Sequence, residues 1–158
     1  MSEAAPNMLS EVLTESVSSV KERETSTLDS LLGVHLKRVV LFGCGGLGRR
    51  AVEKLRELDV QPLAFCDNNT SFWGTEIQGV PVLSVAQATA KFGNDALFLI
   101  AVWNPHHWYG ETARQLRAAG ARFITSYLPL FWRFPDDFLP VYLLNDLPTK
   151  VYQAKDDI

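Results

Sequence analysis

The chain has 158 residues and a formal charge of −3 from 15 basic and 18 acidic side chains, which suits one domain of about 100–150 residues plus a tail, with a core that needs no metal or disulfide staples. Two cysteines, Cys44 and Cys66, exclude a disulfide framework and a four-ligand zinc site, and no metal site is expected; the longest apolar run, Ala96–Trp103, is eight residues, against about 20 for a membrane span. A pI near 5.6 argues against a nucleic-acid partner, and the absence of a basic n-region leaves no readable signal peptide, so the expected setting is the cytoplasm with no membrane partner.

In chain order, residues 1–36 come first, as an acidic Ser/Thr-rich tail. Residues 1–33 hold six acids and two bases, ten Ser or Thr and no aromatic residue. Such a segment buries little apolar surface and is expected to be mobile or partly helical. Leu9, Val12, Leu13, Val17 and Val20 recur at helical spacing, which suits either a fraying helix or a docking one.

From residue 37 strands and helices alternate. Arg38–Phe42 is a β-branched apolar run that suits a strand buried on both faces. Leu47–Leu58 places Ala51, Val52, Leu55 and Leu58 on one helical face. Pro62–Cys66 is the second strand, Asp67–Gly79 a long loop, and Val80–Leu83 the third strand. Ser84 caps a helix over 85–92 that Gly93 and Asn94 end. Ala96–Val102 is the fourth strand, Tyr109–Ala119 a helix stopped by Gly120, and Arg122–Ser126 the fifth strand. This alternation predicts an α/β, Rossmann-like, doubly wound parallel sheet of about five strands in the order 3-2-1-4-5, spanning residues 37–145.

Between the first strand and helix lies Gly43-Cys44-Gly45-Gly46-Leu47-Gly48, a GxGxxG match in strand–turn–helix context. Gly43 permits the tight turn, Gly45 lets a phosphate approach the backbone, and Gly48 lets the helix pack on the sheet. The helix N-terminus offers N–H groups and a positive dipole end to an anion. Asp67 falls 19 residues after Gly48, where a carboxylate can accept ribose hydroxyls and repel a 2′-phosphate. These residues point to a nucleotide ligand, either an NAD-like dinucleotide or a nucleotide-sugar. The alternative is a turn geometry kept without a ligand. Cys44 sits at a helix N-terminus, which can lower a thiol pKa.

The loop Asp67-Asn68-Asn69, then Trp73-Gly74, then Gly79–Leu83, resembles the nucleotide-sugar-binding N-terminal domains of bacterial sugar acyltransferases. That resemblance places Asp67 and Asn68 beside a ribose or uracil. An Asx turn that shapes the loop is the equal alternative. The acyltransferases' hexapeptide repeats are missing. After the fourth strand, Trp103–Tyr109 lies at the carboxyl edge of the sheet, where such folds bind ligands. Asn104 there can hydrogen-bond a ribose or base. His106, His107 or Tyr109 would supply acid–base chemistry if the chain were an NAD-dependent sugar oxidoreductase. No Tyr-x-x-x-Lys pair supports that reading.

The segment Leu128–Pro135 and its neighbours are rich in aromatic residues, which suits either a cap on the core or a docking face for another domain or subunit. With that face as its contact and a vestigial pocket, the chain would be an interaction module. Asp146–Lys150 resembles a helix start, with Pro148 in its first turn. Residues 146–158 thus read as the beginning of a linker helix in a longer protein.

Taken in order, FGCGGLGRR, PLAFCDNN, WGTEIQGVPVLS, AVWNP, LPLFWRFPDDFLP and DLPTKV resemble the N-terminal region of one group of FkbM-family methyltransferases over roughly residues 38–151. The resemblance implies a Rossmann-like accessory domain that recognises a nucleotide or sugar and precedes an S-adenosylmethionine-dependent catalytic domain. The family's catalytic residues have no counterparts in this chain, so no catalysis of its own is expected. Leu41, where methyltransferase folds commonly carry an acid, argues against the S-adenosylmethionine site itself.

Overall fold

The computed structural model describes residues 15–104 and 106–142. Strand β1 (Val39–Phe42) is buried along its whole length. It pairs in parallel with β2 (Ala64–Cys66) on one side and β5 (Leu97–Ile100) on the other. Beyond β2 lies β4 (Val80–Leu83), and beyond β5 lies β6 (Phe123–Ser126), both again parallel. A short β3 (Glu76–Ile77) adds an antiparallel edge, giving the order β3-β4-β2-β1-β5-β6. The five parallel strands stand in the order that the sequence predicts, so the fold is Rossmann-like α/β with a mixed, mostly parallel sheet.

The added strand falls inside the predicted loop. Gln78 and Gly79 both take positive φ, 52° and 73°, the pairing that a two-residue type I′ hairpin demands. With two residues, β3 is too short to show an alternating pattern.

Side chains alternate between two cores because successive strand residues face opposite sides. Val39, Leu41, Phe65 and Leu99 pack beneath α1 (Val17–Val34), α2 (Gly46–Glu57), α5 (Leu128–Arg133) and α6 (Pro135–Tyr142). Val40, Phe42, Phe98 and Ile100 pack beneath α3 (Val85–Phe92) and α4 (Tyr109–Ala118). Ser84 caps α3 in a full capping box with Gln87, which satisfies two helix-end donors.

Residues 17–34, which the composition places in a tail, form α1 and pack on α5. The residues that dock it differ from the expected stripe. Leu28 and Leu32 are buried, whereas Val17 is 72% exposed. Two leucines four residues apart share one helix face and reach the core. Glu22 and Asp29 are left toward solvent, and Asp29 faces Arg133 at 3.3 Å. Residues 1–14, with Leu9, Val12 and Leu13, lie outside the described residues, as does the helix expected from residue 146.

The aromatic segment caps the core. Phe131 and Phe138 are fully buried and stack at 4.9 Å between centroids. Tyr127 meets Phe131 at 4.6 Å. Phe131 and Phe138 fill the first core, with the half-buried Tyr127 packed against them. Among the described residues no helix is long and apolar enough to cross a membrane.

Candidate functional site

The carboxyl ends of β1, β2 and β5 open into a cleft of about 390 Å³, a size at which small-molecule sites are found. It is lined by the glycine loop, by Asp67, Asn68, Asn69 and Phe72 after β2, and by Ala101–Asn104, His107 and Thr112 after β5. An adjoining hollow of about 220 Å³ lies between Val102, Trp103, Asn104, His107, Tyr109 and Tyr127. The two hollows share Val102, Trp103, Asn104 and His107 as a common wall.

The glycine loop divides its labour. Gly43 has φ +99°, and a Cβ there would lie 2.7 Å from Val102 Cγ2. At Gly48 a Cβ would fall 2.0 Å from the Gly43 carbonyl oxygen and 3.2 Å from Phe65. Those two glycines therefore serve the fold. Gly45 and Gly46 meet nothing within 4 Å. Gly45 is the N-cap of α2, and no side chain caps that helix. The first turn, four of whose N–H groups lack intrahelical partners in any α-helix, lies on the cleft lining at Gly46 and Leu47, at the positive end of the dipole.

Asp67 is fixed beside this loop on every side. Its Oδ2 accepts from the Cys44 backbone N–H at 2.9 Å and from the Cys44 thiol at 3.2 Å. Oδ1 accepts from the Asn69 N–H at 2.8 Å. Its own N–H donates to Leu83, and its carbonyl accepts from Trp73 Nε1 at 2.7 Å. Both the loop-shaping Asx turn and a carboxylate facing the cleft are thus present in one residue. Asn69 makes a further Asx turn onto Ser71.

The cysteine reverses its expectation. Cys44 is buried, and its thiol is pushed up from 9.0 to about 12 by burial and by donation to the Asp67 carboxylate. The neighbouring anion and the loss of water outweigh the helix end. Cys66, on β2, is also raised, by burial first and then by Asp67. Both thiols are buried and shifted away from the thiolate form.

Asn104 lines both hollows, but its Oδ1 accepts from the His106 N–H at 2.8 Å and so also shapes its own turn. The adjacent histidines diverge. His107 lines the cleft and shares a 2.8 Å hydrogen bond with Thr112 Oγ1, while His106 is exposed outside it. Leu47 is buried under the loop but reaches the cleft wall. No group of three or more metal-ligating side chains exists among the described residues. Sequence reasoning missed Thr112 and Gln115 on α4. Only the fold brings Gln115 to Asn68, with bonds of 3.1 and 2.8 Å. No local pattern marks a pair 47 residues apart.

Searched against models of known protein families, the chain matches none. It is 29% identical over 125 residues to the redox-sensing transcriptional repressor Rex of Roseiflexus sp. (strain RS-1), an alignment of 75% of this chain. The chain spans 56% of that relative's length. Among solved structures it is similar to RSP, a Rex-family repressor, with TM-score 0.50 and 22% identity over 94% of this chain and 81% of that one. RSP in complex with beta-NAD+ and operator DNA aligns at TM-score 0.44 and 14% identity, over 98% and 86% of the two chains. The likeness to a transcriptional repressor corrects the expectation of no nucleic-acid partner. A net charge is an average. This chain carries its negative excess in residues 1–33, so the sum does not describe any one surface.

Proposed function

We propose that this chain binds an NAD(H)-type dinucleotide in the cleft and acts as a ligand-responsive domain of a regulatory protein. One observation carries the reading. A helix N-terminus free of any side-chain cap and an aspartate carboxylate are joined, through Cys44, at the mouth of one cleft. The first suits a pyrophosphate, and the second suits the hydroxyls of the adjoining ribose. Asp67 is the one carboxylate on the lining among the described residues, so a 2′-phosphate would meet like charge. The likeness to a redox-sensing transcriptional repressor supports the regulatory role.

In this reading the chain's own residues position and hold the ligand. Gly45 and Gly46 leave room for the phosphates, and Asp67 orients the ribose. Val102, Trp103, Tyr109 and Tyr127 wall the adjoining hollow with apolar and aromatic surface, which suits the second ring of a dinucleotide. No proton transfer is assigned to His107, whose Nε2 is engaged with Thr112.

The resemblance to FkbM-family N-terminal regions supports a second reading, a nucleotide-sugar recognition domain attached to a methyltransferase. The motif behind it includes the Asp67–Asn69 loop on the cleft wall. Titration calorimetry with NAD+, NADH, NADP+, a UDP-sugar and S-adenosylmethionine separates the two. NAD+ or NADH is expected to bind, with NADP+ weaker by at least tenfold. Binding of the UDP-sugar alone would favour the second reading, and no binding by any of the five would overturn both.

A further inference from the structure

The dinucleotide reading leaves unused a pair of side chains at the edge of the cleft, Asn68 on its lining and Gln115 beside it on α4. Asn68 Nδ2 donates to Gln115 Oε1 at 3.1 Å, and Gln115 Nε2 donates back to Asn68 Oδ1 at 2.8 Å. The two amides form a reciprocal pair that joins the loop after β2 to α4. Both side chains are exposed, where water competes for the same bonds and the net contribution of each is small. Neither element needs the pair for its placement. α4 is anchored by buried Thr112, Ala113 and Leu116, and the loop is held by the five bonds of Asp67 and its backbone.

Position along the cleft gives the pair a use. The anion anchor is at Gly45 and Gly46, the ribose anchor is Asp67, and Asn68 is the next residue outward. A base attached to that ribose reaches the wall formed by Asn68, Phe72 and Thr112, with Gln115 one turn along α4. A primary amide presents one donor beside one acceptor, the complement of the adenine amino edge. Each amide of the pair already meets that pattern in the other.

We propose that Asn68 and Gln115 form the base-reading element of the cleft, exchanging their mutual bonds for a nucleobase edge that carries an amino donor beside a ring-nitrogen acceptor. This rests on the dinucleotide reading above. The test titrates the intact chain and the Asn68→Leu/Gln115→Leu double variant with NAD+ and with its 1,N6-etheno analogue, whose adenine has lost the amino donor. For the unmodified chain NAD+ is expected to bind roughly fivefold tighter than the analogue, the scale of one net hydrogen bond. In the double variant NAD+ falls to the analogue's level, while the analogue stays within about twofold and the melting temperature is unchanged. A ratio that persists in the variant, or a loss shared equally by both dinucleotides, overturns base reading. If the unmodified chain binds neither, the dinucleotide reading itself fails and this inference falls with it.

Discussion

Gly45→Asp separates the ligand from the fold, because the two effects have opposite signs. The position is an N-cap with φ −73° and ψ −164°, a conformation that any residue adopts. A Cβ there meets nothing within 4 Å. Aspartate is a better N-cap than glycine by a few tenths of a kcal/mol, and a carboxylate at the positive end of the dipole adds about 0.3–1 kcal/mol. The variant alone should therefore be more stable by about 0.5–1 kcal/mol, a rise in Tm of roughly 1–4 °C for a chain of this size. The same carboxylate occupies the phosphate position and repels it. For the parent chain, NAD+ at one hundred times its Kd contributes about 2.7 kcal/mol. A hundredfold loss of affinity reduces that to about 0.4 kcal/mol. Thermal melts of both proteins with and without NAD+ measure all four values. Gly48→Ala is the control, since its Cβ would fall 2.0 Å from the Gly43 carbonyl oxygen. Relief requires moving α2, at a cost of about 1–3 kcal/mol. A Gly45→Asp protein that melts several degrees lower, or that keeps the full NAD+ shift, refutes the assignment of Gly45 to the ligand.

Other outcomes follow from the same geometry. Asp67→Asn should weaken NAD+ by about tenfold or more, the scale of a lost charge-assisted hydrogen bond, while narrowing the preference over NADP+; calorimetry with both ligands reads this, and an unchanged ratio would exclude Asp67 from ribose recognition. Leu28→Ala should cost about 2–5 kcal/mol in urea unfolding, whereas Val17→Ser, at a position 72% exposed, should stay within about 0.5 kcal/mol; a mild Leu28→Ala would show that α1 is not part of the core. Cys44 has a folded pKa of about 12 against 9.0 unfolded. The neutral thiol thus favours the folded state fully below pH 9, and that stability is lost as pH rises from about 9 to 12, where the unfolded chain releases the proton first. Urea midpoints at pH 8 and pH 10.5 should therefore fall in the parent and fall less in Cys44→Ala. Iodoacetamide at pH 8 should label neither Cys44 nor Cys66 without denaturant, and fast native labelling would contradict their burial.

The parallel strands, their order and the glycine loop were legible because each rests on local chemistry. β1 and β5 are continuous apolar runs that only a doubly buried strand accommodates. Gly43 and Gly48 mark places where a Cβ collides, with the Val102 side chain at the first and with the Gly43 carbonyl at the second. Asp67 was legible by its spacing from Gly48. What stayed hidden depends on distance along the chain. The thiol of Cys44 looks activated when only its helix is considered; the carboxylate 23 residues away reverses the sign. The polar composition of residues 1–33 suggests mobility, yet Leu28 and Leu32 find a face that α5 provides about 100 residues later. Asn68 and Gln115 carry no shared pattern, since two amides become a pair only when a sheet and a helix bring them together.

By itself, then, the sequence determined the α/β class, the strand order and the glycine-rich turn, because periodicity and steric demand act over a few residues. Tertiary structure alone decided the protonation of Cys44, the docking of α1 and the pairing across the cleft. Burial, electrostatic neighbours and contact are properties of the packed chain, and none of them is set by adjacent residues.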